Sequence, residues 1–125
     1  MVKDEAREVT FIKNYRNIMN LSSQQLTAIK TGDSAQLRQC IAQKQIIIDY
    51  IKKSQVDSQA FQPAVIEEAR QLLTDIAAIE EESQKLLNLR QDTARVRLVA
   101  SRQAKVLRQA YEAPLLPGRI VNRSK

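Results

Sequence analysis

The 125 residues contain no histidine, no tryptophan and a single cysteine, Cys40. Without histidine the chain lacks the usual general base near neutral pH and the commonest transition-metal ligand. One cysteine cannot complete a zinc site or an intramolecular disulfide, and it suits a reducing compartment. Its neighbours Leu37, Ile41 and Ile47 mark Cys40 as a small buried apolar residue rather than a reactive thiol. The only two glycines, Gly32 and Gly118, stand far apart, so there is no phosphate-cradling loop. Aromatic residues make up 4%, which leaves few large anchors for a flat, tight interface. Apolar runs such as Ile46-Ile47-Ile48 fall far short of a membrane span. The charged start Met1-Val2-Lys3-Asp4-Glu5 has no apolar signal region, and we expect a soluble cytoplasmic protein without membrane insertion. Glu80-Glu81-Glu82 reads as a solvated acidic face, because consecutive helical residues point about 100° apart and cannot converge. No catalytic, cofactor-binding or metal-ligating set remains, and we expect no cofactor and no enzyme.

What is present is helix-forming sequence. Turn residues are scarce, with two glycines and three prolines, while 43% of residues are hydrophobic and 27% charged. That balance indicates a single all-α domain. In residues 1–31, Ile12, Tyr15, Met19, Ser22, Leu26 and Ile29 recur at alternating steps of three and four. That is the spacing of a helix packed lengthwise on partners, and Phe11 and Ile18 widen the stripe. Ser22-Ser23-Gln24-Gln25 has the form of a capping box that would restart the helix. Thr31-Gly32-Asp33 ends this helix and opens the next, with Asp33 or Ser34 as the N-cap. So short a connection makes the two helices antiparallel neighbours. The second faces inward with Leu37, Ile41, Ile48 and Ile51, and Lys44 takes the remaining seam position. Ile46 and Ile47 lie off that seam and suggest contact on a second side.

From Ala64 to Ala113 there is neither glycine nor proline, and Pro63 and Pro114 bound the stretch. It reads as one helix of about 75 Å at about 1.5 Å per residue, entered beside Phe61 and too long for the upstream hairpin to cover. Its seam is Val65, Ala69, Leu72, Ile76, Ile79, Ser83 and Leu86. Continued strictly, the seam would meet Arg90, Thr93 and Arg97. A one-residue slip recovers Leu89, Thr93, Val96 and Ala100, so regular packing is interrupted near Leu86 to Arg90. The expected architecture is an antiparallel three-helix bundle or coiled coil with a long, projecting C-terminal helix. Its helices are about 4–31, 34–53 and 63–112, with a flexible or docking tail over 113–125.

Charge is segregated. Net charge is +6 overall, but residues 1–63 carry +3, residues 64–92 carry −4 and residues 93–125 carry +7. The basic end holds Arg90, Arg95, Arg97, Arg102, Lys105 and Arg108, with Arg90, Arg97 and Arg108 pointing one way and Arg95, Arg102 and Lys105 another. Tyr111 is the only aromatic there, so the interleaving that favours nucleic acid is missing, and the large apolar face for a membrane surface is absent. A protein partner fits better. A disordered or amphipathic segment could lay its apolar side on Leu86, Leu89, Val96, Val99, Ala100, Leu107 and Tyr111.

The pattern Leu26-x-x-Ile29-x-x-Gly32-Asp33-x-x-x-Leu37-x-x-x-Ile41-x-x-Lys44-x-x-Ile47-Ile48-x-x-Ile51 resembles the helix–Gly-Asp–helix core of flagellar type III export chaperones of the FlgN/FliT kind. The long third helix ending in Leu107-x-x-x-Tyr111, with Gly118-Arg119 beyond it, is similar to theirs as well. The resemblance implies a cytoplasmic chaperone that holds the C-terminal segment of hook–filament junction proteins, or of a related axial export substrate, prevents premature assembly and delivers the client to the export apparatus. The clients would be hook–filament junction proteins in the FlgN group and the filament cap protein in the FliT group. It also implies client binding by the C-terminal helix, and a role for Tyr111 in docking at the export gate. The tail has no acidic residue beyond Glu112, which departs from the mixed charge expected of relatives. Two other functions remain open from the residues: a coiled-coil adaptor that oligomerises through the third helix, and nucleic-acid binding through the basic end.

Overall fold

A computed structural model describes residues 2–54, 61–90 and 94–112, all helical apart from two short connections. The helices are α1 (Val2–Thr31), α2 (Ser34–Ser54), α3 (Pro63–Arg90) and α4 (Ala94–Glu112). The all-α expectation holds, and the first two helices fall within two residues of their expected bounds. α1 runs unbroken through Ser22, so the capping-box restart does not occur.

The α1–α2 turn follows from Gly32 and Asp33. Gly32 takes φ 77°, a left-handed conformation that a Cβ would oppose. Its amide donates to Ile29 O at 3.3 Å and the Asp33 amide to Ala28 O at 2.9 Å, the paired bonds of a Schellman ending. Asp33 then caps α2, its carboxylate accepting from the Gln36 amide at 3.0 Å. At the start of α3, Pro63 needs no amide partner, and the Gln62 carbonyl receives the amides of Val65 and Ile66. Phe61 is buried edge-on against Phe11, with centroids 4.9 Å apart.

The long third helix and its projection are corrected. α3 ends at Arg90, and α4 turns back along it. Ala100 shares an apolar cluster with Leu87, while Leu107 joins one with Leu73 and Ile76, so α3 and α4 run antiparallel. α4 packs mainly on α3 with a thinner contact on α2, and α1 packs on both α2 and α3. The sequence offers a reason to end α3 without glycine or proline. Arg90-Gln91-Asp92-Thr93 is a polar run at the phase slip, and Asp92 and Thr93 are N-capping types. A straight helix would leave Ala100, Ala104 and Leu107 in water; folding back buries all three. The tail expected over 113–125 lies outside the described residues.

Two apolar clusters fill the bundle. One joins Phe11, Ile12, Tyr15, Ile18, Ile48, Phe61, Ala69, Leu72, Leu73, Ile76 and Leu107; the other joins Ala28, Ile29, Leu37, Ile41, Leu87 and Ala100. Between them lies a polar layer fed by every helix: Ser22 and Gln25 from α1, Lys44 from α2, Glu80 and Ser83 from α3, and Gln103 from α4, all buried. Cys40 is buried as expected, and burial pushes its thiol pKa up.

Candidate interaction surface

The polar layer positions everything around it. Lys44 Nζ meets Glu80 Oε2 at 2.5 Å, and both side chains are almost wholly withdrawn from water. The Ser22 hydroxyl donates to the same carboxylate oxygen at 2.6 Å. Burial pulls the Lys44 pKa below the usual lysine value, and the facing Glu80 carboxylate opposes that shift. Glu80 is therefore not part of a solvated acidic face, as its neighbours Glu81 and Glu82 are. Gln103 ties α4 into the layer: its amide donates to Ile41 O at 2.7 Å and Gln45 Oε1 at 3.3 Å. The Gln25 side-chain amide and the Ser83 hydroxyl are buried without a protein partner among the described residues.

The seven residues expected to receive a partner do not form one open strip. Leu89 stands 78% exposed at the end of α3. Leu86, Val96 and Val99 are half-buried beside the second cluster. Ala100 and Leu107 are buried inside the bundle, because the face carrying them is the one α4 turns toward α3. Tyr111 belongs to α4, but its side chain lies outside what is described. The structure thus brings Leu86, Val96, Val99 and Ala100 together at the α3–α4 end, with Leu89 beside them along α3. Leu107 sits in the other cluster, toward the opposite end.

α4 turns Ala100, Ala104 and Leu107 fully into the bundle, of which only the leucine is large, and half-buried Val96, Val99 and Val106 flank them. Full burial of one leucine is worth about 2 kcal/mol. The Gln103 bonds contribute on the order of 1 kcal/mol each.

Other apolar residues are exposed that the sequence reading did not assign to a partner surface. Leu98 projects from α4 at 50% exposure, and Ile46 and Tyr50 are exposed on α2. The latter two line a shallow groove against Thr10, Lys13, Asn14 and Asn17 of α1. Ile47 packs on the first cluster, whereas Ile46 faces outward; α2 is met by α1 and, more thinly, by α4, as expected of a helix contacted on more than one side. Their i, i+4 spacing on a helix was the available signal.

Among the described residues, no helix is long and apolar enough to cross a membrane, and no group of three or more acidic or cysteine side chains could hold a metal ion. Neither the curated proteins nor the solved structures gave a match. A family model described as Flagellar protein FliT matches residues 12–113, which takes in α1 from Ile12 onward and all of α2, α3 and α4. The chain belongs to this family of flagellar export chaperones.

Proposed function

We propose that the chain binds the C-terminal segment of a flagellar axial protein in the cytoplasm, prevents its premature assembly and delivers it to the type III export apparatus. Hook–filament junction proteins were the first expectation. Membership of the FliT family favours the filament cap protein, the client that the resemblance attached to that group. The observation that carries the reading is the exposed Leu89 beside half-buried Leu86, Val96 and Val99. An amphipathic client segment would begin there, its apolar side replacing water on these four residues.

Reaching Ala100 and Leu107 requires α4 to lift from α3 and α2. The small side chains Ala100 and Ala104 at the buried centre of the α4 seam support that step, since a client that buries comparable area can offset its cost. Once α4 lifts, the client helix takes the place α4 had held against Leu87 and Ile76. Ordering a disordered client consumes part of the gross binding energy, which keeps affinity moderate and permits release at the export site. Tyr111, near the end of α4, is the residue we assign to docking there.

The test is calorimetric titration with the purified C-terminal segment of the filament cap protein. Leu89→Ser combined with Val96→Ser and Val99→Ser should keep a helical circular dichroism spectrum and lose binding at least tenfold. Unchanged affinity in a folded triple variant would reject this surface.

A further inference from the structure

The outward face of α4 carries a stripe that the client reading does not use. Arg95, Leu98, Arg102 and Lys105 recur at steps of three, four and three, and all are exposed. They lie opposite the buried Ala100, Gln103, Ala104 and Leu107. The ion pairs of the described residues join Arg16 with Glu68, Lys30 with Glu82, Lys44 with Glu80 and Lys85 with Glu81. Among the described residues, no ion pair involves Arg95, Arg102 or Lys105. α4 has no acidic residue before Glu112, its last. The adjoining α3 carries six acidic and three basic residues. The positive stripe is therefore one helix wide, with Arg97 and Arg108 of the same helix beside it.

We propose that this face docks a single acidic amphipathic helix of a partner protein. Its carboxylates would meet Arg95, Arg102 and Lys105, and an apolar side chain would sit on Leu98 between them. Guanidinium forks bind carboxylates in two-pronged geometry, and the arginine and lysine stems extend the apolar contact around Leu98. The width of the stripe selects the partner. A nucleic-acid duplex spreads phosphate beyond one helix face, more than a single stripe of three cations can meet. The stripe also offers no aromatic ring for a base to stack on. A membrane surface needs a broad apolar face, and Leu98 alone does not provide one. An acidic helix presents charge and an apolar residue at the same three-and-four spacing as α4 itself.

The full chain would be titrated with a synthetic helical peptide carrying Glu and Leu at that spacing. Parallel titrations use a scrambled peptide of identical composition, a short duplex DNA, and vesicles of phosphatidylcholine with phosphatidylserine. Binding of the patterned peptide in the micromolar range at low salt is expected, weakening steeply as salt rises. Arg95→Gln with Arg102→Gln and Lys105→Gln should abolish it, and Leu98→Ala should weaken it roughly tenfold. Ile46→Ala on the far side of α2 should leave it unchanged. Since all these positions are exposed, circular dichroism of each variant should match the parent. Equal binding of the scrambled peptide, or indifference to Leu98→Ala, would overturn the proposal in favour of unpatterned charge. Tighter binding of the duplex or the vesicles would overturn it in favour of those ligands. Sedimentation showing a dimer that the triple glutamine variant dissolves would assign the stripe to a second copy. No binding of any probe at low salt would also overturn it.

Discussion

The Lys44 ammonium and the Glu80 carboxylate meet at 2.5 Å in the middle of the bundle, joining α2 to α3 where neither side chain reaches water. A buried ion pair is costly to break from one side, because the survivor keeps its desolvation penalty without its partner. Replacing both members with apolar side chains of similar volume is commonly neutral or stabilising. Glu80→Ala should therefore destabilise by about 3–5 kcal/mol, whereas Lys44→Met with Glu80→Leu should come close to the parent or exceed it. Urea denaturation of both variants measures the contrast. Equal losses in the two would show that the pair contributes more than its desolvation.

Tyr15 gives the fold an alkaline limit. Burial pushes its phenol up to about 12 from 10.0. The folded value lies above the unfolded one, so the stabilisation is complete below pH 10 and is lost as pH rises from 10 toward 12. The loss from this group is on the order of 2–3 kcal/mol. Tyr15→Phe should flatten that arm of the stability–pH curve, measured by thermal unfolding at each pH. An unchanged slope would place the alkaline limit elsewhere.

Leu87 and Leu89 are two residues apart in the same helix and have opposite environments: one is fully buried and the other is 78% exposed. Leu87→Ala should cost about 2–5 kcal/mol, since it opens a cavity in the second cluster. Leu89→Ala should stay within about 0.5 kcal/mol. The two midpoints in urea test the orientation of the last turns of α3, and a reversed order would mean that α3 is rotated.

Gly32→Ala tests the turn that makes α1 and α2 antiparallel. A Cβ at φ 77° is sterically opposed, so the substitution should cost about 1–2 kcal/mol. Thermal unfolding reads it directly, and a neutral result would mean that the turn relaxes to another ending.

The residues showed the helical class, the Gly32-Asp33 turn, the start of α3 at Pro63 and the inner face of α2, because each depends on local chemistry. The inner faces of α1 and α3 were only half visible. In α3 the buried series is Ala69, Leu73, Ile76, Glu80, Ser83 and Leu87, alternating four and three. Leu72 of the expected seam is buried too, but Glu80 in that series drew the apolar pattern onward to half-buried Ile79 and Leu86. Gln25 did the same in α1, drawing the seam toward Met19 and Leu26. A buried charge is legible only with its partner, and Lys44 lies on another helix. The break before α4 was marked by the slip near Arg90. The slip, however, fits a projecting helix as well as a reversal, and only the burial of Leu107 among residues of α1, α2 and α3 decides between them.

Gln25 offers a complementary check on the polar layer. Its buried amide has no protein partner among the described residues, so Gln25→Met keeps the volume and removes an unmatched polar group. An increase in stability on the order of 1 kcal/mol is expected in urea. A clear loss would show that the amide is bonded in solution.

The most direct measurement is hydrogen exchange of the full chain, alone and with the C-terminal segment of the filament cap protein. In the free chain, amides of α4 around Ala100 to Leu107 should exchange slowly, as members of a closed bundle. Adding the segment should change exchange at Leu86, Leu89, Val96 and Val99 and along α4, while the α1–α2 turn stays as it was. Fast exchange of α4 in the free chain would contradict its closure on α3. Changes confined to the α1–α2 groove would contradict the client surface itself.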